Sequence, residues 1–331
     1  MILIMNRVAI IGAGVSGLTC GVVLAERGYG TAIFAKETGQ QTTSAAAAAI
    51  WFPYDAEPAE RVIPWALDTY KMLVELSNNS RTGVSVIELR QFSRAAEIQI
   101  PDWAIPLGAQ AVIPNVPFVM RNEVETSLAV NSSFFRSGFS MRVPLTDTTI
   151  YLDDLAARFL KAGGAINTNV CFEKLEDVDR KFDLMINCAG IGARDLVQDP
   201  DLEPHRGQVA IVPRIENLPC AIVCDDAPLM YAIPRRNDCV FGGTNDRTSD
   251  LIADPATTNR IVSECSRILK IERPNVLAER VGLRPFRRPG VRLERDQLGD
   301  GRTVVHNYGH GGSGFTLSWG CAREVLNLIA L

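Results

Sequence analysis

The segment that most constrains this chain is Val8 to Gly17, VAIIGAGVSG, an apolar run ending in Gly12-x-Gly14-x-x-Gly17. Each glycine has its own physical task. Gly12 permits a tight turn, Gly14 lets the backbone approach a pyrophosphate, and Gly17 lets the new helix pack on its strand. The helix N-terminus presents its positive dipole end to the diphosphate. The pattern predicts a helix over Leu18 to Arg27 and a second strand over Thr31 to Ala35. Glu37 then stands near the ~20-residue spacing of a ribose-binding acid. Ala13, Val15, Ser16 and Lys36 complete this expected cradle. A glycine triplet alone is weak evidence, but one flanked by strand, helix and strand reads as a dinucleotide-binding βαβ unit.

Length and charge bound the rest. A chain of 331 residues can bury a large core and suggests about two domains. A net charge of −4 gives no electrostatic case for nucleic acid or an anionic membrane surface. The eight cysteines form no CxxC pair and sit mostly in apolar runs. Free thiols in a reducing cytoplasm are therefore expected, rather than a disulfide framework. The opening MILIMNR leads straight into the first strand without a charged start or a small-residue cleavage site, although Met5 is an alternative start. No apolar run has the length of a membrane span.

The pattern past Lys36 points to a discontinuous α/β protein. Thr42 to Ala49 reads TTSAAAAA. Alanine favours helix; alternatively these small residues lie against a flat ligand, with Thr42, Thr43 and Ser44 donating to phosphate. Helices are expected over Arg61 to Leu76, over Tyr151 to Ala162 from an Asp153-Asp154 start, over Asp254 to Leu269, and over Ser318 to Leu328. Short strand-like stretches and Pro101, Pro106, Pro114, Pro117 and Pro144 mark residues 84–150 as an inserted antiparallel sheet. A second strand-rich region runs from Gly207 to Thr244. Phe182 to Cys188 is an apolar strand tipped by Ala189 and Gly190, the kind of strand end where open α/β sheets bind ligands. The fold expected is a Rossmann-like nucleotide-binding domain (1–80, 145–195, 285–331) interleaved with an antiparallel-sheet substrate domain (81–144, 196–284). That interleaving favours a long flavin dinucleotide reaching a second domain over NAD.

At this point the chain resembles, end to end, the D-amino-acid oxidase family of flavoproteins, which includes D-aspartate oxidase. The carriers are VAIIGAGVSGL, TTSAAAAAIWFPY, FDLMINCAGIGA, HRGQVAIV, YAIPRRNDCVFGGT, GLRPFRRPGVRLE and HNYGHGGSGFTLSWGCA. The resemblance implies noncovalent FAD. It extends the cofactor set to Ala48, Ala49, Ile50, Val170, Cys188, Gly309, Gly311, Gly312, Ser313, Gly314, Phe315 and Thr316. It makes Arg284 and Tyr231 the anchors of a substrate α-carboxylate, with the amine facing a backbone carbonyl near Gly312. Arginine suits that role because its planar fork matches a carboxylate bidentately. The Cα–H then faces the flavin, hydride transfer gives an imino acid, and hydrolysis and reoxidation by oxygen give a 2-oxo acid, ammonia and hydrogen peroxide.

Several positions depart from the family pattern. Phe52 replaces a glutamine, no second tyrosine precedes Tyr231, Ser313 replaces a tyrosine, and Asn245 replaces the arginine with which D-aspartate oxidases hold a side-chain carboxylate. Phe52, Tyr54, Met230 and Ser313 are expected to line the substrate pocket, and neutral D-amino acids are the expected substrates. Arg235, Arg236 or Arg247 would have to turn inward for an acidic one. A D-aspartate oxidase, a glycine- or sarcosine-type flavin amine oxidase or dehydrogenase, and a flavin-binding protein without turnover are the alternatives. His306 and His310 flank a non-helical turn and suggest packing or hydrogen bonding rather than a metal site. An amino acid and oxygen are the expected partners; an oligomer stays open.

Overall fold

The computed structural model describes residues 7–95, 97–112 and 134–330, so Met5, Pro114 and Pro117 lie outside it. In chain order the strands are β1 (Arg7–Ile11), β2 (Gly30–Ala35), β3 (Val84–Ser93), β4 (Gln110–Ala111), β5 (Ser137–Thr146), β6 (Ala165–Thr168), β7 (Leu184–Asn187) and β8 (Leu202–Pro213). They continue with β9 (Cys220–Cys224), β10 (Met230–Pro234), β11 (Asp238–Gly242), β12 (Asp246–Arg247), β13 (Ala278–Arg287), β14 (Arg292–Gln297) and β15 (Thr303–Tyr308). The helices are α1 (Val15–Ala25), α2 (Thr43–Ala46), α3 (Ala59–Leu76), α4 (Thr148–Lys161), α5 (Ala193–Leu196), α6 (Pro255–Leu269) and α7 (Gly314–Ile329).

Two sheets share these strands. A six-stranded sheet runs β14-β15-β7-β1-β2-β6. It is parallel throughout except for the β14–β15 pair. Its central strands β1 and β7 are apolar and covered on both faces, as a parallel sheet under helices must be. Helix α1, VSGLTCGVVLA, is buried almost all round and packs against α7 and α4. The larger sheet has nine strands, β12-β8-β11-β10-β9-β3-β5-β4 with β13 along β8. It is antiparallel apart from β3–β9. Here alternation decides the faces. Val212, Ile222, Ala232 and Phe241 turn to one side and pack with Ile261, Val262, Cys265 and Ile268 of α6. The other face lines a cleft.

The sequence-level seams shift slightly. Pairing carries β5 to Thr146 and β13 to Arg287, so the larger sheet continues past positions 144 and 284. Helix α1 begins at Val15, directly behind Gly14 at its N-cap. Helix α4 begins at Thr148 because Asp147, not Asp153, caps it by accepting from the Thr149 N–H. Helix α7 begins at Gly314, where the Ser313 carbonyl already accepts from the Leu317 N–H. The alanine run gives one helical turn, then extended Ala47 and a left-handed Ala49. Ala49 is held there by its carbonyl, which accepts from both Thr146 N (3.1 Å) and Thr146 Oγ1 (3.0 Å).

Candidate active site

A cleft of about 960 Å³ crosses the molecule from the N-terminus of α1 to the open face of the nine-stranded sheet. At its first end, β1 delivers Gly12 at φ +106° against the Cys188 carbonyl, where β7 ends. No side chain fits that contact, so the two strand ends close on each other at the C-terminal edge of the parallel strands. No side chain caps α1 from Gly14, and the Val15 N–H meets Ser44 Oγ at 2.9 Å. Residues 12–16, 36–37, 42–44 and 48–50 line this end, with Val170, Cys188, Ala189 and Gly190. A glycine cradle at a helix N-terminus, an acid past the end of β2 and a run of small residues fit a dinucleotide with its diphosphate at α1.

Three expected cofactor residues do other work, two of them glycines. Gly17 does not line the cleft; it packs beneath the Gly12 carbonyl, where a Cβ would collide. Gly309 turns the chain at φ +81° against the Arg287 side chain and also lies off the cleft wall.

At the other end, period-two alternation places Leu89 and Gln91 of β3, Val223 of β9, Tyr231 and Ile233 of β10, Val209 of β8 and Arg280, Gly282 and Arg284 of β13 on the cleft face. Pairing sets Gln91, Val223, Tyr231 and Gly242 side by side. The Arg284 guanidinium lies flat over Gly207: a Cβ there would be 2.6 Å from both Nη1 and Nη2. Its Nη1 donates to Thr244 O (2.8 Å) and Asn245 Oδ1 (3.3 Å), which fixes the plane of the fork. The Tyr231 ring lies over Gly242 and Gly243 in the same way. Burial raises the Tyr231 pKa and Arg284 opposes this, so the hydroxyl keeps its proton at neutral pH. Tyr54 is pushed up to about 12, by burial and then by the Asp225 charge. The Asn245 Nδ2 donates to the Tyr54 hydroxyl at 3.4 Å, so Asn245 bridges Tyr54 and Arg284.

The segment bearing Phe52 and Tyr54 is stitched to the start of α7. Phe52 N donates to Thr316 Oγ1 (3.1 Å), which donates back to Phe52 O (3.0 Å). Tyr54 N donates to Ser313 Oγ (2.7 Å), which donates to Tyr54 O (2.6 Å). Ser313 is therefore a fully buried latch and does not line the pocket, against its expected substrate and cofactor roles. Gly312 does line it, pressed by Tyr54: a Cβ would be 2.5 Å from the ring Cδ1. Gly311, Gly314, Phe315 and Thr316 also face the cleft.

Met230 is a further correction. It precedes Tyr231 on β10, so it points to the opposite face, fully buried in the cluster under α6. None of Arg235, Arg236 and Arg247 lines the cleft. Arg235 is paired with Asp238 (2.6 Å), Arg236 reaches Ser80 O (3.3 Å) and Arg247 is exposed. His306 meets Asn187 (3.3 Å) and His310 meets Asn307 (2.9 Å); burial holds both imidazoles down to about 4. Residues that sequence reasoning missed are Gly207 and Gly242, which clear space for the Arg284 and Tyr231 side chains, and Gln91 and Asp225. Strand register across the sheet identifies the first three; no local motif does.

A nucleotide cradle joined by one cleft to an arginine–tyrosine pair on a sheet face defines a class: a dinucleotide-dependent enzyme. The family model described as FAD dependent oxidoreductase (DAO) matches residues 7–328, and the chain belongs to that family. It is 37% identical to a D-amino-acid oxidase of Rubrobacter xylanophilus, over 98% of this chain and 96% of the relative. It is 36% identical to a D-amino-acid oxidase of Streptomyces coelicolor, again over 98% and 96%. Among solved structures, glycine oxidase from Geobacillus kaustophilus superposes with a TM-score of 0.80 at 18% identity, covering 98% of this chain and 95% of that one, a likeness of fold.

Proposed function

We propose that this protein carries out the FAD-dependent oxidative deamination of D-amino acids to 2-oxo acids, ammonia and hydrogen peroxide. The observation that carries the reading is the Arg284–Tyr231 pair, laid over glycines and facing the cleft that begins at the nucleotide cradle. The two relatives above, named D-amino-acid oxidase, support it. The flavin, when bound, supplies the hydride acceptor. The chain supplies position: Arg284 takes the carboxylate with a fork already held in plane by Thr244 and Asn245, and Tyr231 adds an O–H donor. Residues 12–16 and Ser44 hold the diphosphate end, and Gly311, Gly312, Gly314, Phe315 and Thr316 wall the cleft beyond it.

An acidic substrate side chain finds Asp225 in the cleft and none of the three candidate arginines. Neutral D-amino acids are accordingly expected to outrank D-aspartate and D-glutamate. The test is anaerobic flavin bleaching, with peroxide release in air, over both enantiomers of alanine, valine, methionine, aspartate and glutamate, and over glycine and sarcosine. Bleaching by neutral D-enantiomers supports the reading. Preference for L-enantiomers, for glycine or sarcosine, or no bleaching at all contradicts it.

A further inference from the structure

Two neighbouring aspartates follow β9 and do different things. Asp226 is a loop clamp: its Oδ2 accepts from Ser93 Oγ (2.8 Å), Arg94 N (2.5 Å) and Ala95 N (3.2 Å), and these bonds hold its pKa low. Asp225 has no such set. It lines the cleft and is reached by solvent there. Its Oδ2 accepts from Gln91 Nε2 at 2.8 Å, and no ion pair to it is found among the described residues.

Gln91 carries the second observation. It is 4% exposed, lines the same cleft, and its Oε1 is buried without a hydrogen-bond partner. The bond from Nε2 to the carboxylate settles which end of the amide is which, so the unpartnered atom is an acceptor. Buried acceptors in a folded protein are ordinarily satisfied, and one left over beside a carboxylate in a ligand cleft calls for a donor. The cleft thus offers a carboxylate and an amide oxygen together, with nothing positive on the described wall beside them. Around them, Val223 and Leu229 are apolar.

Register gives the distance from the clamp. Gln91 lies two strands from Tyr231, across Val223. At about 4.8 Å per strand this is roughly 10 Å of sheet. The Tyr231 ring leans the other way, over Gly242, and Val223 lines the cleft between it and Gln91. Proximity also shows in the charges, since Asp225 raises the pKa of both Tyr54 and Tyr231.

We propose that Asp225 and Gln91 form the side-chain end of the substrate pocket and select a long side chain ending in a cation, of the arginine or lysine class, over its neutral isostere. This rests on Arg284 and Tyr231 holding the carboxylate. The aliphatic stem crosses Val223 and Leu229, and the N–H groups at its tip meet the Asp225 carboxylate and Gln91 Oε1.

The isosteric pair D-arginine and D-citrulline isolates the charge. With FAD-loaded enzyme, kcat/KM for D-arginine should exceed that for D-citrulline by about tenfold or more, the worth of a charge-assisted contact. Asp225→Asn should collapse this ratio toward one, and Asp225→Glu should retain part of it. A readout without turnover is calorimetric titration of the holoenzyme with 5-guanidinopentanoate and with its neutral isostere 5-ureidopentanoate, where the guanidino acid should bind at least about tenfold tighter. A wild-type ratio near one, a ratio unchanged in Asp225→Asn, or equal affinity for the two acids overturns the proposal. Absence of turnover with D-alanine, D-citrulline and D-arginine alike overturns the oxidase reading instead. The titration then decides the Asp225 assignment separately.

Discussion

Replacing Gly207 with alanine tests whether Arg284 acts through its position. The new Cβ would lie 2.6 Å from Nη1 and Nη2 and 2.7 Å from Cζ of Arg284. Non-bonded carbon contacts settle near 3.5 Å, so the guanidinium must withdraw by about 1 Å. It also strains the 2.8 Å bond from Nη1 to Thr244 O. The displaced atoms are the free end of a long side chain and Gly207 lies within extended β8, so the fold should survive with little change in Tm. Misplacement of a reacting group by about 1 Å costs up to about 100-fold. The expected loss in kcat/KM with D-alanine is therefore about 10- to 100-fold, or about 1.4–2.7 kcal/mol. Steady-state peroxide release, with bound flavin counted by absorbance, measures it. If the effect runs through Arg284, Gly207→Ala should add almost nothing on an Arg284→Ala background. An unchanged kcat/KM in the single variant, or full additivity in the double, would refute the reasoning.

Other outcomes follow from the same geometry. Arg284→Ala should lower kcat/KM by about 10- to 150-fold through KM above all, with Arg284→Lys recovering only part because the fork is lost; equal KM in all three forms counts against the clamp. Gly14→Val should abolish FAD retention on gel filtration, because its side chain occupies the diphosphate's place beside Ser44 Oγ, 3.0 Å from the new Cβ; a yellow variant speaks against that placement. His306 and His310, held down to about 4 by burial, set an acid limb. Unfolded histidine binds its proton near pH 6.5 and the folded rings do not until about pH 4, so stability falls as pH drops through that window. Each ring contributes on the order of 3 kcal/mol at its acid end. His310→Gln should flatten this limb in Tm-against-pH scans, and a parallel limb in that variant removes His310 as its source.

The nucleotide half was legible in the sequence because its signals are local. A strand, a tight glycine turn and a helix N-terminus lie within Val8 to Gly17, and the backbone geometry of ten residues is enough to specify what approaches them. The interleaving of two sheets was also readable, since apolar alternation and proline mark sheet insertions along the chain. The resemblance singled out Arg284 and Tyr231. What the sequence could not supply is the side-chain face. Met230 and Tyr231 are neighbours in sequence, yet one-residue alternation sends the first under α6 and the second into the cleft. Ser313 stands in the closing glycine cluster, but only its meeting with Tyr54, 259 residues away, makes it a latch. Gly207 and Gly242 become permissive floors through strand register between segments far apart in sequence, and Gln91 meets Asp225, 134 residues away, only in the folded sheet. Local sequence determines what a segment can bind through its backbone; which side chains share a pocket is decided by long-range pairing, because a strand's face is set by partners the local pattern does not contain.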